Sequence, residues 1–198
     1  MGLLLFLIVR EPDPPARFFA RVAAPIVDLC TPWIERVSIR VENGILFIAG
    51  DLVFDASLAD GRPFPPVPGT WRQSAAIYLA MLVVFCGAWV IPPGFRRRRW
   101  AVLPPALVAL VLAAALALTA EVQRAALESI GSGALREIPL ADTPLNRELL
   151  LSLEGRLGWL RSVCAFLDAG GRLGLALALG FAAAWLPAQG RPRRDAGP

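Results

Sequence analysis

Along residues 74–120 the polar and apolar positions leave two long uncharged runs, 75–91 and 101–120, on either side of Phe95-Arg96-Arg97-Arg98-Arg99-Trp100. Each run is close to the roughly 20 residues a helix needs to cross the hydrocarbon core of a bilayer. The pattern therefore predicts a transmembrane hairpin over 74–120. Four arginines on a short connection are costly to translocate, so the turn at 94–100 is expected on the cytoplasmic face. Every other segment then acquires a side.

Before the hairpin, residues 2–9 (GLLLFLIV) are apolar but would cover only about 12 Å as a helix. With no basic start and no small-residue cleavage site, segment 1–9 reads as the end of a first transmembrane helix and not as a cleaved signal. Residues 10–73 fall outside the cytoplasm. Within them, 16–34 carries Phe18, Phe19, Val22, Ala23, Ile26, Val27, Cys30 and Trp33 at three- and four-residue spacing. This is an amphipathic helix, bent or ended by Pro25 and Pro32. Two roles are open for it: lying in the membrane interface, or packing on other helices. Val37, Ile39 and Val41 alternate with polar residues and lead into Asn43-Gly44 and Ile45-Leu46-Phe47-Ile48. An Asn-Gly pair between β-rich runs predicts a type I′ hairpin, because both residues accept positive φ. A third alternating run through Leu52, Phe54, Ala56 and Leu58 extends the expected β-meander over 37–58, followed by a proline-rich return at 60–69. Strands with open edges cannot lie in hydrocarbon, so the meander belongs outside the bilayer.

Trp71-Arg72-Gln73 leads into the first span, where Tyr78 and Trp89 read as interface residues. Pro104-Pro105 is expected in the first turn of the second span, which continues past the bilayer to about residue 130. In the outer loop, 121–169, Asp142-Thr143-Pro144 signals a helix start. Leu145, Leu149, Leu153, Leu157 and Leu160 form an apolar stripe behind it. The last transmembrane helix is expected at 170–187, with Arg172 snorkelling and a cytoplasmic tail at 188–198. Gly170, Gly174 and Gly180 stand at spacings that permit close helix packing.

Composition strengthens the membrane reading: 56% of the 198 residues are hydrophobic and the mean hydropathy is +0.57. The net charge of +4 comes from 20 arginines and no lysine, clustered at Arg96–Arg99 and Arg191–Arg194. Residues 10–73 hold seven arginines against eight acids and residues 121–169 five against seven, whereas the cytoplasmic pieces hold seven against Asp195 alone. Arg96, Arg97, Arg98 and Arg99 are thus a topology determinant and a contact for anionic lipid, with no nucleic acid implied. Histidine is absent, which removes His-dependent triads, Cys-His dyads and histidine metal sites. Cys30, Cys86 and Cys164 form no metal-ligand pattern, although a bridge between Cys30 and Cys164 is conceivable. Asp51, Asp55 and Asp60 lack the ligand alternation of a calcium loop and read as a solvated face. Glu121, Glu128, Asp142, Glu148 and Glu154 offer carboxylates, but none is expected inside a span or with a fixed partner. Catalytic, cofactor and metal residues are accordingly none. The candidate partner surface is the meander, through Val37, Ile39, Val41, Asn43, Gly44 and Phe47.

The fold class expected is mainly α and integral to the membrane, with three to four transmembrane helices, a small extracytoplasmic β-meander and amphipathic helices. This layout resembles the small membrane proteins associated with exosortases, of the exosortase H type. Ala24-Pro25-Ile26 and Trp33 before 37–41, the Tyr78 helix, the Arg96–Arg99 turn and Gly170-Gly171-Arg172 carry the likeness. It implies a non-catalytic accessory of a bacterial protein-sorting system in the inner membrane, with membrane lipids and an exosortase-like transpeptidase as partners. The exosortase itself resembles a Cys, Arg, His enzyme, which a chain without histidine cannot be. A stand-alone transporter-like or lipid-interacting protein is the alternative. The topology predicts that, in intact cells, an impermeant thiol reagent labels a cysteine at Asn43 and spares one at Gly94; the reverse pattern would overturn it.

Overall fold

The structure, a computed structural model, describes residues 13–54, 56, 58–90, 99–129 and 143–189. Segment 1–9, the positions Arg96 to Arg98, Asp55 and the tail from residue 190 lie outside them. The described residues form five helices and a three-stranded sheet: α1 (Asp13–Cys30), β1 (Ile34–Glu42), β2 (Ile45–Leu52), β3 (Val67–Ser74), α2 (Ala75–Val90), α3 (Arg99–Ser129), α4 (Pro144–Phe166) and α5 (Arg172–Gln189). A π-turn at Leu167–Gly171 joins the last two.

The sheet is antiparallel in the order β1-β2-β3. Asn43 and Gly44 take φ of 53° and 73°, the pair of positive values a type I′ turn requires, and Glu42 faces Ile45 across it. The third strand is not the expected run through residues 52–58. Leu52 ends β2, and β3 arises from the segment read as a proline-rich return, with Val67 opposite Leu52 and Ser74 opposite Ile45. Proline is tolerated there because β3 is an edge strand, and Pro68 needs no ladder donor on its free side. Phe54, Ala56 and Phe64 instead fold under as a buried loop, tied by Phe64 N–H to the Ala56 carbonyl at 2.8 Å. Asp51 and Asp60 are turned to separate arginines, Arg36 at 3.6 Å and Arg62 at 2.6 Å, and the Arg62 guanidinium holds the Asp60 carboxyl below its ordinary value.

α1 starts earlier and stops earlier than the expected 16–34, ending before Thr31-Pro32, and it carries Pro25 without breaking. Ala16, Phe19, Ala20, Ala23 and Val27 bury one face of it against the sheet and α3, so it is a packing helix at least along this face. Val37, Ile39 and Val41 belong to the core beneath that helix and are not a free partner surface. Phe47 lies on the opposite face, half covered by the Arg72 guanidinium 5.2 Å from its ring centre. The turn is likewise engaged: the Gly44 amide donates to Asp13 Oδ1 at 2.7 Å, and the Gly44 carbonyl accepts from the Ala75 amide at 2.9 Å. One hairpin tip therefore ties the start of α1 to the start of α2.

α3 begins five residues before Pro104-Pro105, which therefore lie inside the helix and not in its first turn. Among the described residues two helical runs are long and apolar enough to cross a membrane, Ala101–Ser129 and Asn146–Trp185, the latter passing through the kink between α4 and α5; α2 is apolar but shorter at 16 residues. α2 packs along α5 in the same direction, with Tyr78 near Arg172 at one end and Phe85 and Ala88 against Gly180 further on. α4 is capped by Thr143, whose hydroxyl accepts from the Asn146 amide, and Leu149, Leu153, Leu157 and Leu160 turn toward α3.

Of the three glycines expected to allow close packing, Gly180 does so: a Cβ there would stand 2.6 Å from the Phe85 carbonyl oxygen and 2.7 Å from the Ala88 methyl. Gly174 faces open space, and Gly170, at φ 106°, serves the kink. Gly180→Val should therefore lower stability by about 1–3 kcal/mol through overpacking. Gly174→Ala should raise it by about 0.5–1 kcal/mol through helix propensity. Thermal unfolding in detergent reads both, and equal effects at the two positions would contradict the packing described.

Candidate functional site

Three helices meet at one buried charge pair. Tyr78 stands one turn into α2, Glu121 follows directly on the uncharged run of α3, and Arg172 opens α5. Glu121 and Arg172 are only 2% and 5% exposed. The Arg172 guanidinium binds Glu121 Oε1, and the Tyr78 hydroxyl donates to Glu121 Oε2 at 3.0 Å. Arg172 also reaches Asp168 at 2.8 Å, so it joins two carboxylates from different elements. Its Cζ lies 6.0 Å from the Tyr78 ring, and Phe19 of α1 stacks on the other side of the network at 5.0 Å from the same ring.

The local sequence explains how Arg172 comes to point inward. Gly170 adopts φ 106°, a conformation that other L-residues seldom take, and this breaks the helical run between Asp168 and Arg172. Gly171 has no room for a side chain, because a Cβ would meet the Phe166 carbonyl at 2.7 Å. The two glycines redirect the chain so that the next residue drops toward α3. The reading that Arg172 snorkels to the interface is corrected accordingly, as is the reading that Glu121 has no fixed partner.

Chemically this is a saturated carboxylate. Both oxygens of Glu121 accept from donors the chain itself supplies, Arg172 on Oε1 and the Tyr78 hydroxyl on Oε2. Removing two charges from water is repaid only when the geometry is complete, and a buried pair deprived of one member is strongly destabilising. The arrangement therefore fixes three helix ends relative to one another.

Around it the remaining chemistry is sparse. Gln123 Nε2 donates to the Cys30 carbonyl at 2.7 Å, closing the C-terminus of α1 against α3. Cys30, Cys86 and Cys164 are free thiols, so Cys30 and Cys164 are not bridged. Burial pushes the Cys164 thiol up, keeping it protonated. Among the described residues no cluster of three or more His, Cys, Asp or Glu side chains is placed to hold a metal ion. An apolar cleft of about 580 Å³ opens between α1, α2 and α3, lined by Phe18, Phe19, Tyr78, Leu82, Val108 and Leu112 among others. Of the Arg96–Arg99 block predicted as a lipid contact, only Arg99 is among the described residues, and it opens α3 22 residues before Glu121.

Sequence reasoning missed the pair because its members lie 51 residues apart and neither sits inside an uncharged run. The usable signal was that the two charges nearest the apolar runs, Glu121 and Arg172, are of opposite sign and each adjoins a run's outer end. No protein-family model, no curated protein and no solved structure matches the chain.

Glu121→Leu or Arg172→Met alone should cost about 3–5 kcal/mol, whereas the double variant Glu121→Leu/Arg172→Met should cost less than either. Tyr78→Phe should cost about 1.5–3 kcal/mol, because it leaves one carboxylate oxygen without its donor. A double-mutant cycle on thermal unfolding checks this, and additive single effects would show that the pair is not coupled.

Proposed function

We propose that this chain is an integral membrane protein and a non-catalytic accessory that holds a small extracytoplasmic sheet at a fixed position for a membrane partner. Membrane integration is supported by where apolar side chains remain uncovered. Val108, Leu112 and Leu116 repeat every four residues along α3 and are 58, 46 and 53% exposed, and Leu173, Leu177 and Trp185 are similarly open on α5. Such helix faces suit hydrocarbon and not water. The common direction of α2 and α5 supports the orientation, since the described helices end on one side at Val90 and Gln189, just before the two arginine-rich stretches of the sequence, and the positive-inside rule makes that side cytoplasmic. The spans are then α2, α3 and α5, and the membrane is the bacterial inner membrane that the exosortase resemblance implies.

The observation that carries the partner reading is the anchored sheet. Its apolar face is covered by α1, its tip is tied to Asp13 and Ala75, and β3 runs directly into α2, while β1 and β3 keep their outer edges unpaired among the described residues. An edge held rigidly above a membrane suits strand addition by an extended segment of another protein. The exosortase-like transpeptidase implied by the sequence layout is the partner proposed. A specific observation also favours a second reading: the 580 Å³ apolar cleft would suit a lipid chain in a stand-alone lipid-interacting protein.

Asn43→Pro separates insertion from partner capture, since proline cannot adopt φ 53° while the apolar helices are untouched. The variant should reach the membrane at the parent level and lose a co-purifying multispan protein at least fivefold in mild detergent. Undiminished capture alongside a protease-sensitive sheet would overturn the partner reading.

A further inference from the structure

Outside the buried network, a second cavity of about 360 Å³ lies where the C-terminus of α1, the extension of α3 and the middle of α4 meet. Leu127 and Leu160, both almost fully buried, are among its apolar lining, with Trp33 and Trp159, while Gln123 and Arg156 supply the polar groups. Among the described residues Arg156 makes no ion pair, and no carboxylate lines the cavity. Arg124, next to Gln123, keeps a buried Nε–H without an acceptor. The nearby Arg161, by contrast, is neutralised by Glu128 at 3.2 Å. The cavity lining thus carries one guanidinium, that of Arg156, beside two indoles and no carboxylate.

Its height above the membrane follows from α3. The uncharged run ends at Ala120, so at 1.5 Å per residue Gln123 and Leu127 stand about 4 and 10 Å beyond the hydrocarbon. That is the headgroup layer and its outer margin. Tryptophan favours this depth. Trp159 is 65% exposed, as are Leu151 (70%) and Phe166 (67%) on the same helix, which places an apolar edge of α4 where it can enter the interface.

We infer that this cavity is a binding site for the phosphodiester headgroup of an anionic phospholipid in the outer leaflet. Arg156 binds the phosphate, a planar guanidinium matching two phosphate oxygens, and the indoles flank the glycerol. Selectivity for an anionic over a zwitterionic headgroup comes from the lining, which offers the Arg156 guanidinium and no carboxylate to balance a lipid ammonium. The inference rests on the membrane reading above.

The test is native mass spectrometry of the full chain in detergent, titrated with phosphatidylglycerol or phosphatidylcholine. Arg156→Gln should weaken phosphatidylglycerol binding at least fivefold and leave phosphatidylcholine unchanged, and Arg156→Lys should restore part of it. Thermal unfolding of the Gln variant should equal the parent's, since Arg156 makes no ion pair among the described residues. Replacing Arg96–Arg99 by glutamine should remove a separate class of lipid, so that the two losses add. Unchanged phosphatidylglycerol binding in Arg156→Gln overturns the site, as does displacement of the lipid by inorganic phosphate or by a short peptide carboxylate at equal concentration. Alkaline carbonate washing of membranes distinguishes the two levels: release of the chain overturns the membrane reading itself, whereas retention with unselective lipid binding overturns only this site.

Discussion

A charge pair withdrawn from water at the meeting of three apolar helices is the constraint on which the rest of this structure depends. Glu121 and Arg172 each lose most of their hydration, a cost that their attraction repays only if the other groups are in place. Tyr78 supplies the second donor to Glu121, and Asp168 the second acceptor for Arg172. Because these four side chains come from α2, α3, the π-turn and α5, no two of the helices can shift along each other without breaking a charged contact. Apolar helices alone would not specify such a register, since one leucine face slides over another at little cost. The fit of Gly180 against the Phe85 carbonyl then follows two turns further on.

The same logic extends outward through backbone groups. The Gly44 amide and carbonyl reach Asp13 and Ala75, so the hairpin tip is bonded to the first residue of α1 and the first of α2. β3 passes into α2 with no linker, and the stacked Phe19 and Tyr78 rings join α1 to the charge pair. Rigid connections of this kind set the height and tilt of the sheet relative to the helices. A partner that recognises both sheet and spans would then meet them already ordered, which reduces the entropy lost on binding.

Local signals in the sequence were faithful and distant ones were silent. The uncharged runs, the Asn43-Gly44 turn, the Thr143-Pro144 start and the leucine stripe of α4 each depend on neighbours within a few residues, and the structure contains each of them. The third strand was misplaced because alternation over 52–58 looks like a strand, while β2 had already found both its partners in β1 and in 67–74. Val37, Ile39 and Val41 were read as a surface because nothing in their own stretch says that α1 covers them. Gly170 and Gly174 share a small-residue spacing with Gly180, yet only Gly180 meets another helix, and spacing alone cannot distinguish those cases.

Helix length gives the charge pair its place in a bilayer. From Arg99, which opens α3, to Glu121 is 22 residues, or about 33 Å at the α-helical rise. A hydrocarbon core of about 30 Å fits between those two charges with a slight tilt. The start of α3 would then meet one headgroup layer just as the Glu121–Arg172 pair meets the other. α5, with 18 residues and about 27 Å from Arg172 to Gln189, covers nearly the same distance from the same starting level. α2 is shorter, and the part of it beyond Tyr78 covers only about 18 Å. A short helix between two longer ones tends to be drawn in by local thinning of the bilayer or by its neighbours, and the close Gly180 contact supplies the neighbour. In a chain that crosses the bilayer as proposed, the buried pair would be the point from which both the sheet and the spans are measured, and its charges would lie at the hydrocarbon boundary, where keeping them paired costs less than it would at the bilayer centre.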